Sequence, residues 1–161
     1  MGRAWVFGDN VSTDYIIPGR FNITTDPKEL RKHVFKYVRP EFAEEVKVRD
    51  VVIGGKNFGC GSSREHAAIV IRESGVYLVA QSYGWIFKRN CVNLGVLPLQ
   101  SVGPVNIRDG SDVDLDLANR QLKDLTTGRS FQLMPIPKIV LGIHGAGGLV
   151  EYLNSHKEYS I

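Results

Sequence analysis

The sequence predicts an α/β fold, a small parallel sheet followed by a C-terminal β-meander, in one domain spanning residues 1–161. Two patterns predict it. Between Val51 and Leu99, apolar runs of strand length alternate with segments of helical periodicity. That order builds a parallel sheet through right-handed crossovers. From Asp112 onward the pattern becomes polar–apolar alternation, the mark of antiparallel strands with one solvated face.

Ala4-Trp5-Val6-Phe7 reads as a short buried strand closed by the turn cluster Gly8-Asp9-Asn10. Val11 to Arg20 reads as a loop. Asp26-Pro27-Lys28-Glu29 is a helix start, with aspartate at the cap and proline in the first turn. Leu30, Val34, Phe35 and Val38 continue it at helical spacing, and a second short helix begins at Pro40. Val51-Val52-Ile53 is a strand, Ser62 to Ser74 a helix stopped by Gly75, and Val76 to Ala80 an all-apolar central strand. Tyr83 to Val92 is helical and Val96 to Leu99 a further strand. Asp112–Leu117, Gln121–Leu125 and Gly128–Leu133 form the meander. Two last helices, 135–141 and 148–156, flank a glycine-rich spacer.

The most informative stretch is Gly54-Gly55-Lys56-Asn57-Phe58-Gly59-Cys60-Gly61-Ser62-Ser63-Arg64-Glu65-His66. Its glycines permit a sharp turn and close approach of a ligand to the main chain. Two hydroxyls and a guanidinium follow, at the expected start of a helix. A helix start offers unpaired N–H groups and a positive dipole end. Ser62-Ser63-Arg64-Glu65 also reads as a plain capping box. Capping alone does not explain an arginine in a first turn, where the dipole disfavours cations. Arginine there suits a carboxylate or phosphate, which it grips through a planar fork. The spacing fits neither a P-loop, nor GxSxG, nor a dinucleotide fingerprint.

Composition narrows the function. The formal charge of +3 is mild and its cations are scattered, which argues against nucleic acid as a partner. No apolar run approaches the ~20 residues of a membrane span, and the first residues lack a signal-peptide layout, so the cytoplasm is expected. Cys60 and Cys91 form no metal-ligand spacing, so no metal or iron–sulfur cluster is expected on this chain alone.

The run Asn57 to Ala67 closely resembles the signature of the aconitase-family swivelling domain, a β/β/α unit, and in particular of the separate small subunits of 3-isopropylmalate dehydratases. Three more stretches agree: Phe7 to Arg20, Arg39 to Phe42, and Ser82 to Asn90 with Asn93-Leu94-Gly95. The resemblance implies one subunit of a heteromeric hydro-lyase of leucine biosynthesis, interconverting 2-isopropylmalate and 3-isopropylmalate through isopropylmaleate. It implies a large-subunit partner that carries a 4Fe-4S cluster, with this chain closing the site.

Carried over by motif, the resemblance makes Ser62 the catalytic serine that takes the proton beside a carboxylate. It makes Ser63 and Arg64 carboxylate binders, and places Thr13 and Asp14 on a loop bordering the site, where Asp14 orients an arginine. His66 is expected to pack or bond on its helix, and Arg89 and Asn90 to be structural. Ile23 falls where homoaconitase-type subunits resemble one another in offering an arginine and isopropylmalate enzymes an apolar side chain. Ile23 therefore favours an isopropyl group. Homoaconitase, citramalate and 2,3-dimethylmalate dehydratase subunits are the alternatives within the chemistry, and a non-catalytic anion-binding module is the alternative outside it.

Overall fold

The computed structural model describes residues 1–24 and 26–156. A seven-stranded sheet organises the chain, in the order β4-β3-β2-β1-β5-β6-β7. Strands β1 (Gly2–Val6), β2 (Val51–Gly54), β3 (Tyr77–Ala80) and β4 (Pro98–Gln100) run parallel to one another. Strands β5 (Asp112–Asp116), β6 (Gln121–Asp124) and β7 (Ser130–Gln132) are antiparallel, and β5 pairs with β1. The meander thus extends the parallel sheet through β1. The expected α/β class and the change of pattern at Asp112 both hold.

The crossovers explain which faces are apolar. Helix α4 (His66–Ser74) joins β2 to β3, and α5 (Trp85–Asn93) joins β3 to β4. Trp5, Val52, Leu78 and Ala80 pack with Ala67, Ala68, Ile71, Phe87 and Cys91 on the helix side of the sheet. Ala4, Val51, Ile53 and Val79 point the other way, toward Leu99, Val113, Leu122 and Leu133. Strands covered on both faces need continuous apolar runs, which Val51–Gly54 and Tyr77–Ala80 supply. Buried Asp50 holds the edge of this core: it accepts hydrogen bonds from Trp5 Nε1 and Arg3 N, both at 2.9 Å, and from Lys47 N at 3.0 Å.

Four local expectations are corrected. The loop after β1 contains a helical turn, α1 (Thr13–Ile16), capped by Ser12, and a 3-10 turn at Gly19–Phe21. Helix α2 (Pro27–Arg31) starts at its Asp26 cap as expected, but it ends early. Phe35 has φ +51° and donates its N–H to Ile16 O, so Val34 and Phe35 stay buried while Val38 faces solvent. Helix α3 (Phe42–Glu45) follows. Helix α4 begins four residues later than Ser62. Finally, α6 (Lys138–Ala146) runs through the glycines expected to separate it from α7 (Leu149–Ser155). A Cβ on Gly142 would lie 2.7 Å from the Tyr152 ring, so this glycine lets the two helices meet closely.

Candidate functional site

Two loops, leaving the carboxyl ends of neighbouring parallel strands, build the site. The chain after β1 and the chain after β2 stay hydrogen-bonded far beyond the strands. Phe7 N donates to Ile53 O, Asn10 N to Lys56 O, Gly59 N to Val11 O and Thr13 N to Cys60 O, at 2.7–2.8 Å. Gly59 has φ +76°, and any side chain there would strike the Phe87 ring of α5. Gly61 also has positive φ. The glycines the sequence singles out therefore turn the loop and seat it on α5.

The turn brings Ser62 to Thr13. Thr13 is 4% exposed, and its Oγ1 accepts the Ser62 N–H at 2.9 Å. Ser62 Oγ accepts two donors from one residue: Arg64 N at 3.2 Å and Arg64 Nε at 3.0 Å. The capping box is not formed. Glu65 is the residue before α4, and no side-chain hydrogen bond caps that helix. The donors at Ser62 Oγ thus come from Arg64 and not from a helix end. A charged N–H on an oxygen is a strong hydrogen bond and favours negative charge on it.

The Nη1 and Nη2 groups of Arg64 point elsewhere. A Cβ on Gly19 would lie 3.6 Å from both Arg64 Nη1 and Asp14 Oδ1, so the guanidinium and carboxylate meet over the bare face of that glycine. Among the described residues they form no ion pair. Thr13, Asp14, Ser62 and Arg64 line one shallow indentation of about 180 Å³, open to solvent, with Ile17, Asn22, His66 and Ala67.

Of the six residues singled out in the sequence, the structure brings these four together. Ser63 is exposed and outside the indentation; its carbonyl accepts a hydrogen bond from buried Asn90 Nδ2 at 3.2 Å, which ties the turn to α5. Ile23 is 91% exposed and also lies outside it. Arg20, just before, stacks its guanidinium over Tyr37 at 4.6 Å and Phe21 at 5.2 Å. Sequence reasoning missed Asn22 and His66 as wall residues. No periodicity signals them; adjacency to Ile23 and to the Ser62–Glu65 run was their only mark.

Elsewhere, charge is structural. Arg39 donates to both oxygens of Asp109, at 3.1 and 3.0 Å. Burial pushes the Asp109 carboxyl up, but hydrogen bonds from Arg39 and Val6 N outweigh it and hold it below the usual range. Burial pushes the Cys91 thiol far up, making it an inert core group. Among the described residues no group of three or more His, Cys, Asp or Glu is placed to hold a metal ion, so this chain's residues do not fit an iron–sulfur cluster. No helix among them is long and apolar enough to cross a membrane.

Comparison with known proteins places this geometry. Residues 44–103, which include the Gly59–Arg64 turn, match the family model described as the aconitase C-terminal domain. A 3-isopropylmalate dehydratase small subunit 1 of Archaeoglobus fulgidus is 43% identical over 98% of this chain and 99% of its own length. The corresponding subunit of Thermotoga maritima is 46% identical over 98% of the chain and 96% of its own. A methanogen homoaconitase small subunit of Methanothermobacter thermautotrophicus is 44% identical, over 94% and 88% respectively. A crystal structure of 3-isopropylmalate dehydratase from Methanocaldococcus jannaschii superposes with TM-score 0.91 at 40% identity, covering 97% of this chain and 93% of that one. With near-complete coverage at such identities, the chain belongs to the family of 3-isopropylmalate dehydratase small subunits, built on the aconitase-type swivelling domain.

Proposed function

We propose that this chain is the small subunit of a cytoplasmic heteromeric hydro-lyase that interconverts 2-isopropylmalate and 3-isopropylmalate through isopropylmaleate. One observation supports it above the others: Ser62 Oγ, in an indentation with Thr13 and Asp14, takes two N–H donors from Arg64. In the dehydration direction Ser62, as its alkoxide, removes the proton from the carbon next to a carboxylate. The C–H electron pair becomes the new double bond, and the hydroxyl leaves the neighbouring carbon. A serine alkoxide is costly in water, and Arg64 Nε lowers that cost by meeting the oxygen with positive charge. Arg64 Nη1 and Nη2 remain to take a substrate carboxylate in bidentate fashion. Asp14, across Gly19, orients that guanidinium.

This is half a site. The 4Fe-4S cluster expected on the large-subunit partner would supply Lewis-acid assistance to the leaving hydroxyl. Ser63 and Ile23, outside the indentation in this chain alone, are proposed to meet substrate once the partner closes over the loop. An exposed apolar Ile23 favours an isopropyl group there.

The methanogen homoaconitase subunit among the relatives supports a second reading, in which a distal carboxylate is taken instead. Burying that carboxylate beside Ile23 without a partner would cost several kcal/mol. Assaying the reconstituted pair against isopropylmaleate, homoaconitate and citraconate tests the choice. Isopropylmaleate is expected to show the highest kcat/KM; preference for homoaconitate would replace the proposal with the second reading. A chain that associates with no iron–sulfur partner and only binds phosphate would refute both.

A further inference from the structure

Two buried polar atoms in the candidate site have no partner. Asn22 Oδ1 and His66 Nδ1 are both inaccessible to solvent and make no hydrogen bond, and both residues line the indentation shared with Ser62 and Arg64. Folded proteins rarely leave such atoms alone, because an unsatisfied buried group costs about 1–3 kcal/mol. Neither residue is free to turn away. Asn22 ends the 3-10 turn, its N–H donating to Gly19 O at 3.1 Å. His66 is the first residue of α4. The remaining wall between them, Ile17 and Ala67, is apolar and offers no partner.

The chemistry of the missing guest follows from these atoms. An amide oxygen only accepts, so the guest must donate a hydrogen bond. Carboxylate, phosphate and halide are thereby excluded at Asn22. The neighbouring Arg64 guanidinium disfavours an ammonium. An imidazole Nδ1 donates or accepts according to tautomer, so it suits a group that can do either. The space is small, enough for about one water-sized group. An O–H group meets every condition.

We propose that Asn22 and His66 form a hydroxyl-binding subsite in the wall of the Ser62–Arg64 indentation, holding the O–H of an ordered water or of a 2-hydroxy acid. The guest donates to Asn22 Oδ1 and bonds to His66 Nδ1. It thereby links the Gly19–Asn22 turn, which leads to Ile23, to the helix following the Ser62 turn. Its kinetic consequences rest on the functional reading above; its occupancy does not.

The test has two arms. High-resolution crystal structures of the chain with its large subunit, free and with an unreactive 2-hydroxy diacid, read occupancy directly. An oxygen within hydrogen-bond distance of both atoms in the free complex identifies water; filling only by the diacid's hydroxyl identifies substrate. No oxygen in either crystal, or both atoms bonded to other protein groups, overturns the proposal. This arm stands even if Ser62→Ala proves active and the functional reading fails.

In the second arm, Asn22→Leu and His66→Leu are each expected to lower kcat/KM about tenfold, the value of one lost hydrogen bond. The double variant is expected to be no worse than either single one, since both remove the same bridged group. His66→Gln, which keeps a hydrogen-bonding side chain, is expected within threefold of the parent. Multiplying losses, or unchanged activity in both leucine variants, would overturn the shared subsite.

Discussion

The two halves of the sheet share a core yet differ in what their ends carry. In the parallel half, β2 is buried along its whole length, and loops from β1 and β2 carry Thr13, Asp14, Ser62 and Arg64 into one indentation. In the meander, β6 alternates half-buried and buried residues, and no candidate site residue lies on it or its hairpins. The contrast has a physical origin. Parallel strands all point their carboxyl ends the same way, so successive loops converge on one edge. Antiparallel hairpins return to opposite edges, and a meander gains its stability pair by pair. The parallel half therefore bears the chemistry, while the meander buries the opposite face of the sheet.

Substitutions in the two halves should separate along that line. The largest effect belongs to Ser62→Ala: turnover of the reconstituted enzyme falls by about a thousandfold or more with subunit association unchanged, because only proton transfer is lost. Activity within a few-fold of the parent would leave Ser62 as a turn-building residue. Leu122→Ala, in the fully buried centre of β6, is the counterpart. It should cost about 3 kcal/mol in denaturant unfolding, yet leave kcat/KM of the folded fraction unchanged. A large change in kcat/KM there would erase the distinction between the halves.

Ile23→Arg sharpens the comparison within the parallel half. It should shift the ratio of kcat/KM for homoaconitate over isopropylmaleate upward by about tenfold. An unchanged ratio would remove Ile23 from substrate choice.

The smallest effect concerns pH. Burial, then Lys36, lowers the pKa of His33, which stacks on Phe21 at 3.9 Å. The unfolded chain then binds this proton more readily than the folded one. Stability consequently declines as pH falls from the ordinary histidine value of 6.5 toward the lowered folded value. His33→Gln should flatten that part of the unfolding-midpoint profile; an unaltered slope would assign it elsewhere.

Much of this was legible in residues whose local and tertiary preferences agree. Asp26-Pro27 starts a helix in both sequence and structure. The apolar run at β3 lies in the middle of the parallel strands, and the alternation at β5 forms the meander. Conflicts arose where a tertiary bond overrides a local one. Ser62-Ser63-Arg64-Glu65 has the letters of a capping box, but Thr13 takes the Ser62 N–H and Arg64 takes Ser62 Oγ. Glycines inside α6 suggest a break, whereas contact with Tyr152 makes one of them favourable. The glycine turn, Ser62, Arg64, Thr13 and Asp14 were readable because their chemistry is concentrated in short motifs. Asn22 and His66 were not, because an unpartnered buried atom is a property of three-dimensional surroundings and leaves no periodic trace.

Whether Arg64 acts through Ser62 Oγ is the central claim, and a double-mutant cycle on the reconstituted enzyme tests it most directly. With Ser62→Ala, Arg64→Gln and the pair measured at matched subunit assembly, kcat of the double variant should be no lower than that of Ser62→Ala alone. Losses that multiply would show two independent contributions and contradict the Ser62–Arg64 couple.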